Sequence, residues 1–201
     1  MENKVDSHKI WLILGISVVV LLILFLTLYG PAKKAMFGKV IETGIQAGTL
    51  VAPTKITACG FVTWESGKTY VLANNLYFTD NHQGVDCLKI SYGSDLNKIT
   101  LDCQNYKIVD QSQETAANTG INVETVKGAV IKNCQVEGFS TGIILNGVQS
   151  SLIEKNTLSK NNHGIYAYIG SSNNKISQNT ATDNKKYDFL CYDQSPTKIF
   201  G

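Results

Sequence analysis

An all-β solenoid preceded by one hydrophobic helix is the fold class this sequence predicts, and three observations predict it. Residues 119 to 193 repeat, as TGINVETVKGAVIKNCQVEGFS, TGIILNGVQSSLIEKNTLSKNN, HGIYAYIGSSNNKISQNTATDNKK and an opening YDFLCYD, in blocks of 22, 22 and 24 residues. A fixed period in the twenties is the signature of stacked structural repeats. Within GINV, GIIL and GIYAY the apolar residues alternate with period two, which sends successive side chains to opposite faces of a strand. Finally, the twenty residues from 10 to 29 carry no charge, which matches the thickness of a bilayer core.

The repeat is justified column by column. Ile121, Ile143, Ile165 and Phe189 occupy equivalent positions, as do Val123, Leu145, Ala167 and Cys191. Ile131, Ile153 and Ile176 form a third column, Cys134, Asn156 and Asn179 a fourth, and Val136, Leu158 and Ala181 a fifth. No block holds the ten or more residues of 3.6-period pattern that a helix requires. The regularly spaced leucines of a leucine-rich repeat are also missing. A parallel β-helix of about five rungs remains, each rung stacked roughly 4.8 Å above the last. In it Asn156 and Asn179 lie one above the other, where turn amides can hydrogen-bond from rung to rung and escape the cost of unpaired burial.

The pattern I-x-x-N-x-(L/A)…G-I, as in IEKNTLSKNNHGI, resembles the right-handed parallel β-helix repeats of pectate-lyase-like proteins. That group includes NosD-type periplasmic proteins and many archaeal and bacterial surface proteins. The upstream segment CGFVTWESGKTYVLANNLYF…CLKISYGSDLNKITLDCQNYKI looks like the opening rungs of the same family, so the likeness covers about residues 59 to 193. It implies right-handed coiling and leaves the chemistry open, because such folds carry lyases, hydrolases, epimerases, tail fibres and adhesins.

In chain order, residues 1–9 read as a tail and residues 10–29 as a transmembrane helix with Trp11 and Tyr29 at the two interfaces. The apolar run exceeds the 7–15 residues of a cleaved signal peptide, so an uncleaved anchor is expected. Lys4 and Lys9 before the span and Lys33, Lys34 and Lys39 after it tip the lysine count toward a cytoplasmic C-terminus. The cysteines and the family resemblance point the other way, and the expectation adopted is a β-helix outside the cytoplasm, extracellular or periplasmic. Residues 30–58 read as a stalk and N-terminal cap, with 33–47 as the capping segment. Residues 59–201 are the β-helix domain.

Five cysteines fall in about 135 residues, and Cys59 and Cys87 bracket the entry to the solenoid. A Cys59–Cys87 bridge in an oxidising compartment is expected. The segment between them reads as a hairpin or incomplete first rung with Thr69–Leu72 as its best strand, and Leu88, Ile90, Ile99, Leu101 and Ile108 as the first full rung. Cys134 and Cys191 read as core packing, with Cys103 a possible partner for Cys134 from the rung beneath. Residues 111 to 118 are an insertion expected to emerge as a loop. The chain ends just after its fourth repeat strand. An uncovered last rung favours a fragment of a longer repeat protein, or a partner over that rung, against a cap made by Thr197–Phe200 folding back.

Composition narrows the chemistry. A net charge of +2 gives no electrostatic footprint for nucleic acid. All 18 basic residues are lysine, which removes the bidentate carboxylate and phosphate clamps that arginine supplies. The arginine base used by many pectate-lyase-like relatives therefore has no counterpart here. Hydrolytic relatives use clustered aspartates, whereas Asp86, Asp95, Asp102 and Asp110 form no column, Asp188 and Asp193 merely flank a strand, and no lysine is expected beside a carboxylate in a matching column. His8, His82 and His163 are far apart and the methionines are Met1 and Met36, so neither a metal site nor any other cofactor is expected. His163 reads as a surface turn residue.

One candidate surface remains, the outward positions of the first strand of each rung. There Tyr166, Tyr168 and Tyr192 are expected to cluster next to Asn146 and Glu124. Aromatic faces beside amide and carboxylate groups suit sugar rings, which offer an apolar face and peripheral hydroxyls. The expectation is a non-catalytic protein that binds glycans or protein partners at the cell surface; the competing class is a polysaccharide lyase or glycoside hydrolase, or part of one.

Overall fold

A computed structural model of the chain describes residues 52–79, 86–91, 96–112, 118–192 and 197–200. The chain divides into the units Met1–Val51 and Ala52–Gly201, and all described residues belong to the second. The expected tail, membrane span 10–29 and capping segment 33–47 lie outside the described residues. Among the described residues no helix is long and apolar enough to cross a membrane.

Every regular element described is a strand. β1 (Thr54–Ile56) comes first, inside the segment expected to be stalk and cap, and it pairs with the strand that follows it. β2 (Thr69–Leu72), β3 (Leu76–Phe78) and β4 (Asp86–Ser91) make the first complete coil, and β5 (Thr100–Asp102), β6 (Lys107–Asp110) and β7 (Thr119–Glu124) the second. β8 (Val130–Lys132), β9 (Gln135–Glu137) and β10 (Thr141–Asn146) form the third. β11 (Leu152–Glu154), β12 (Thr157–Ser159) and β13 (His163–Ala167) form the fourth, then β14 (Lys175–Ser177), β15 (Thr180–Thr182) and β16 (Tyr187–Cys191) the fifth. β17 (Lys198–Phe200) begins a sixth.

Strands one coil apart pair in parallel and build three sheets. The first is β1-β2-β5-β8-β11-β14-β17, the second β3-β6-β9-β12-β15, and the third β4-β7-β10-β13-β16. The register is the one the repeat columns predict: Ile143 lies between Ile121 and Ile165, and Ile165 faces Phe189. One expectation is corrected. The segment bracketed by Cys59 and Cys87 is neither hairpin nor incomplete, because Tyr70, Leu72, Leu76 and Phe78 are all buried and give it the inward face of a full coil. Thr197–Phe200 does not fold back as a cap, the alternative the sequence disfavoured: Lys198 pairs in parallel with Lys175 and extends the first sheet.

Single left-handed residues turn the corners. Asn133, Lys155 and Gln178 have φ of 56°, 55° and 57°, and each is followed by the inward residue of the column Cys134, Asn156, Asn179. A residue in that conformation reverses the side-chain alternation and bends the chain without a longer loop. The buried Asn156 then works in both directions: its Oδ1 accepts from Cys134 N at 2.9 Å, and its Nδ2 donates to Ile131 O and Asn179 Oδ1, both at 3.0 Å. A second ladder joins Asn161 to Asn184 at 3.1 Å. At a third corner Ser151 N donates to Asn174 Oδ1 at 3.0 Å. Every one of these groups would otherwise be an orphan inside the coil.

The inward columns fill the bore, with Ile121, Ile131, Ile143, Ile153 and Ile165 fully buried. Where two sheets meet, Gly142 and Gly164 are the second residues of β10 and β13. A Cβ on Gly142 would lie 2.8 Å from Gly164 O, and one on Gly164 would collide with Asp188 O, so the close approach of one coil to the next admits no side chain there. At the entry, Trp64 Nε1 donates to Lys89 O at 2.7 Å and the indole packs against Tyr70 with centroids 4.5 Å apart.

The expected Cys59–Cys87 disulfide is present, and Cys103–Cys134 forms a second. The pairing that the sequence left open for Cys134 is thereby decided: directly below the asparagines of its column it meets Cys103, and the bridge takes the place of a further amide step. Cys191 is free and half-buried.

Candidate functional site

The outer face of the third sheet is a grid of five strands, and its chemistry changes from one end to the other. Lys89 pairs with Asn122, Asn122 with Ile144, Ile144 with Tyr166 and Tyr166 with Leu190, which makes one outward column across all five. Beside it Ser91 pairs with Glu124 and Glu124 with Asn146. The ladder continues past the strand ends through Tyr168 N to Leu145 O at 2.7 Å and Tyr192 N to Ala167 O at 2.9 Å, so Tyr168 and Tyr192 extend that second column. On the other flank Thr119, Thr141, His163 and Tyr187 lie in register.

The upper two strands are aromatic. Tyr166 and Tyr168 meet edge to face at 5.5 Å, and Tyr168 and Tyr192 at 5.7 Å. His163 extends the series: it stacks on Tyr187 at 5.9 Å and lies 6.0 Å from Tyr166. Five rings thus run in unbroken contact around Leu190, each step within the range where aromatic pairs attract. Burial first, then the neighbouring phenols Tyr168 and Tyr192, pushes the Tyr166 hydroxyl up, so it stays a neutral donor at any physiological pH. Tyr168, Tyr187 and Tyr192 remain 38%, 54% and 47% exposed, which leaves their faces open to a ligand.

The structure brings Tyr166, Tyr168 and Tyr192 together and sets Asn146 one strand below Tyr168 in the same column, with Glu124 a further strand below. His163 and Tyr187 were not among the expected site residues. His163 is no turn residue but the first residue of β13, paired with Thr141 and Tyr187. The signal for it was present in the sequence, because His163 and Tyr187 fall in the column that holds Thr119 and Thr141 in the earlier repeats.

The lower two strands are charged. Asn122 Nδ2 donates to Asp86 Oδ2 and to Glu124 Oε1, both at 2.9 Å, while Asn122 Oδ1 is buried without a hydrogen-bond partner. Lys89 Nζ lies 3.0 Å from Glu124 Oε2. Burial pushes the Asp86 carboxyl up, against the hydrogen bond from Asn122 and the charge of Lys89. Asp86 and Glu124 share no column, yet Asn122 joins the two carboxylates. Lys89 faces Asn122 and not Glu124, and its long side chain reaches the carboxylate diagonally on the next strand. The expectation that no lysine stands beside a carboxylate in a matching column is corrected on the first sheet, where Lys132 pairs in register with Asp102 and Glu154.

Elsewhere the acidic residues serve structure. Asp102 accepts from Gln104 N and Asn133 Nδ2, both at 2.9 Å, and pairs with Lys132 at 3.4 Å. Asp110 accepts from Ser112 N at 2.8 Å and Asn118 Nδ2 at 3.1 Å, closing the base of the expected insertion, whose residues 113–117 are outside the described set. Asp95, Asp193 and His82 also lie outside it. Among the described residues no three metal-ligating side chains converge.

The fold and this face define a parallel β-solenoid with one outward sheet graded from charged to aromatic. The family model described as right handed beta helix region matches residues 59–201, and the chain belongs to that family. No curated protein and no solved structure matches the chain.

Proposed function

We propose that this protein is a non-catalytic, membrane-anchored β-helix protein of the pectate-lyase-like, NosD-type kind, with its coil outside the cytoplasm, binding glycans through the aromatic end of the third sheet's outer face. The observation that carries it is the unbroken contact of Tyr166, Tyr168 and Tyr192 on an exposed, flat, uncharged surface next to Asn146. Rings supply the apolar platform that a pyranose face requires, and phenol and amide groups supply partners for its hydroxyls. Extracytoplasmic placement is supported by two disulfides and by the uncharged run 10–29, which serves as the anchor.

A glycan array probed with the full chain in detergent tests the binding, with the reaction medium checked for released sugar. Binding that is lost in Tyr166→Ala and Tyr168→Ala, with no product formed, is the expected result; an array that stays blank for the intact chain contradicts it. Sidedness is tested separately by labelling Asn146→Cys on intact cells with an impermeant thiol reagent, where labelling only after lysis contradicts the placement.

One observation favours a carbohydrate-active enzyme as the second reading. Asp86 and Glu124 accept from the same Asn122 Nδ2 at 2.9 Å each, so the two accepting oxygens are no more than twice that distance apart. That bound admits the roughly 5–5.5 Å of retaining glycosidases, and burial pushes the Asp86 carboxyl up, as a general acid requires. Against it, the Asn122 amide fills the gap in which the reacting bond would have to sit. Shortened or unsaturated oligosaccharide that disappears in Asp86→Asn would establish the enzyme.

A further inference from the structure

The aromatic end differs from the rest of the coil in length as well as in composition. Ala167 is separated from the corner serine Ser171 by one residue more than Leu145 is from Val148, and the added residue is Ile169, 52% exposed directly after Tyr168. One extra residue also enters between Asn184 and Tyr187, at Lys185–Lys186, compared with the span from Asn161 to His163. The two additions stand at opposite ends of β13 and β16. Added residues in solenoid repeats gather at the binding face.

Between those ends the rings fall into three cross-strand pairs: His163 with Tyr187, Tyr166 with Leu190, and Tyr168 with Tyr192. Resting on the glycan-binding function above, we propose that the face takes a neutral, linear glycan lying along β13 and β16, across the coil and not along its axis, with one sugar over each of the three pairs. His163 and Tyr187 form its end subsite. The pairs succeed one another along the strands, and a pyranose is about as broad as a phenol ring. Neutrality follows from the lining. Over Tyr166, Leu190, Tyr168 and Tyr192 an acid on every sugar would lose water without meeting a cation, which is costly. The cations beside the face are Lys185 and Lys186 at one end and Lys89 three strands below Tyr166.

The test is calorimetric titration of the full chain in detergent with cello-, manno- and xylo-oligosaccharides of two to six units, and with tetragalacturonate. Affinity for one neutral series is expected to rise from two units to three and then level off. Tyr187→Ala is expected to remove the gain from the third sugar, about a tenfold loss for the trimer, and to leave the dimer unchanged, while Tyr187→Phe restores it. Tyr187 is exposed, so its variants are expected to fold. Length-independent affinity, or a Tyr187→Ala variant with unaltered length dependence, overturns the three-subsite track while binding lost in Tyr168→Ala still upholds the platform. Tetragalacturonate binding as tightly as the neutral chains overturns the ligand class. No binding to any sugar, with the intact chain folded, overturns the proposed function and the track together.

Discussion

Asn156 shows how a polar side chain becomes part of a solenoid's core. It is 1% exposed, yet its amide meets Cys134 N, Ile131 O and Asn179 Oδ1. Asn156→Ala strands those partners in a dry corner, and a loss on the order of 3 kcal/mol is expected in urea unfolding. Asn184→Ala, whose site is half-exposed, is expected to lose markedly less. Asp102 adds a pH dependence. Burial pushes its carboxyl up, but the hydrogen bonds from Asn133 and Gln104 N and the charge of Lys132 outweigh this and hold it below the usual range. A depressed carboxylate contributes stability above its unfolded pKa of about 3.9, which is lost as pH falls through the folded value. Asp102→Asn is therefore expected to lower the urea midpoint at pH 7 and to lose less on acidification than the wild type. An equal acid-side slope in the two proteins would contradict this. The Asn156–Asn179 column was legible in the sequence because two repeats shared it. The Asn161–Asn184 ladder has the same two-repeat spacing, with Phe139 one coil below as Cys134 is below Asn156, but it stands beside the polar runs at the repeat ends, where an asparagine passes for an ordinary turn residue.

At the scale of elements, the third sheet owes its graded outer face to five strands held in one register. Inward positions were readable, since burial fills most of them with Ile, Val, Leu and Ala, and a slip by one residue would expose every one. Outward positions follow no such restriction. The tyrosines were identified by type and spacing, whereas the Lys89–Glu124 contact runs diagonally and the His163–Tyr187 pair begins at a strand end that resembles a turn. The first coil was misjudged for a related reason: its strands carry Tyr70 and Phe78 in place of the aliphatic columns, and residues 80–85 interrupt its spacing. Cys103–Cys134 ties the second coil to the third through a loop of 31 residues. Replacing both cysteines by alanine is expected to lower stability by about 2–4 kcal/mol, chiefly by freeing the unfolded chain. Thermal unfolding with and without reductant measures it, and an unchanged midpoint in both experiments contradicts a stapling role.

For the whole molecule, local order is cheap and long-range order is simple, because each coil contacts only the coils above and below it. The same arrangement makes function positional: a side chain acquires its neighbours from residues one coil away, so His163, Tyr166 and Tyr168 reach Tyr187, Leu190 and Tyr192, each 24 positions on, only when the coils are stacked in register. That stacking is the central claim, and one distance tests it most directly. Lys89 and Leu190 are 101 residues apart but stand in one outward column, four strand steps from each other. Spin labels at Lys89→Cys and Leu190→Cys, in a Cys191→Ser background, are expected to give a single narrow distribution consistent with a backbone separation of about 19 Å. A distribution displaced by a whole coil, or one broad and centred far beyond that separation, would contradict the register and with it the aromatic face.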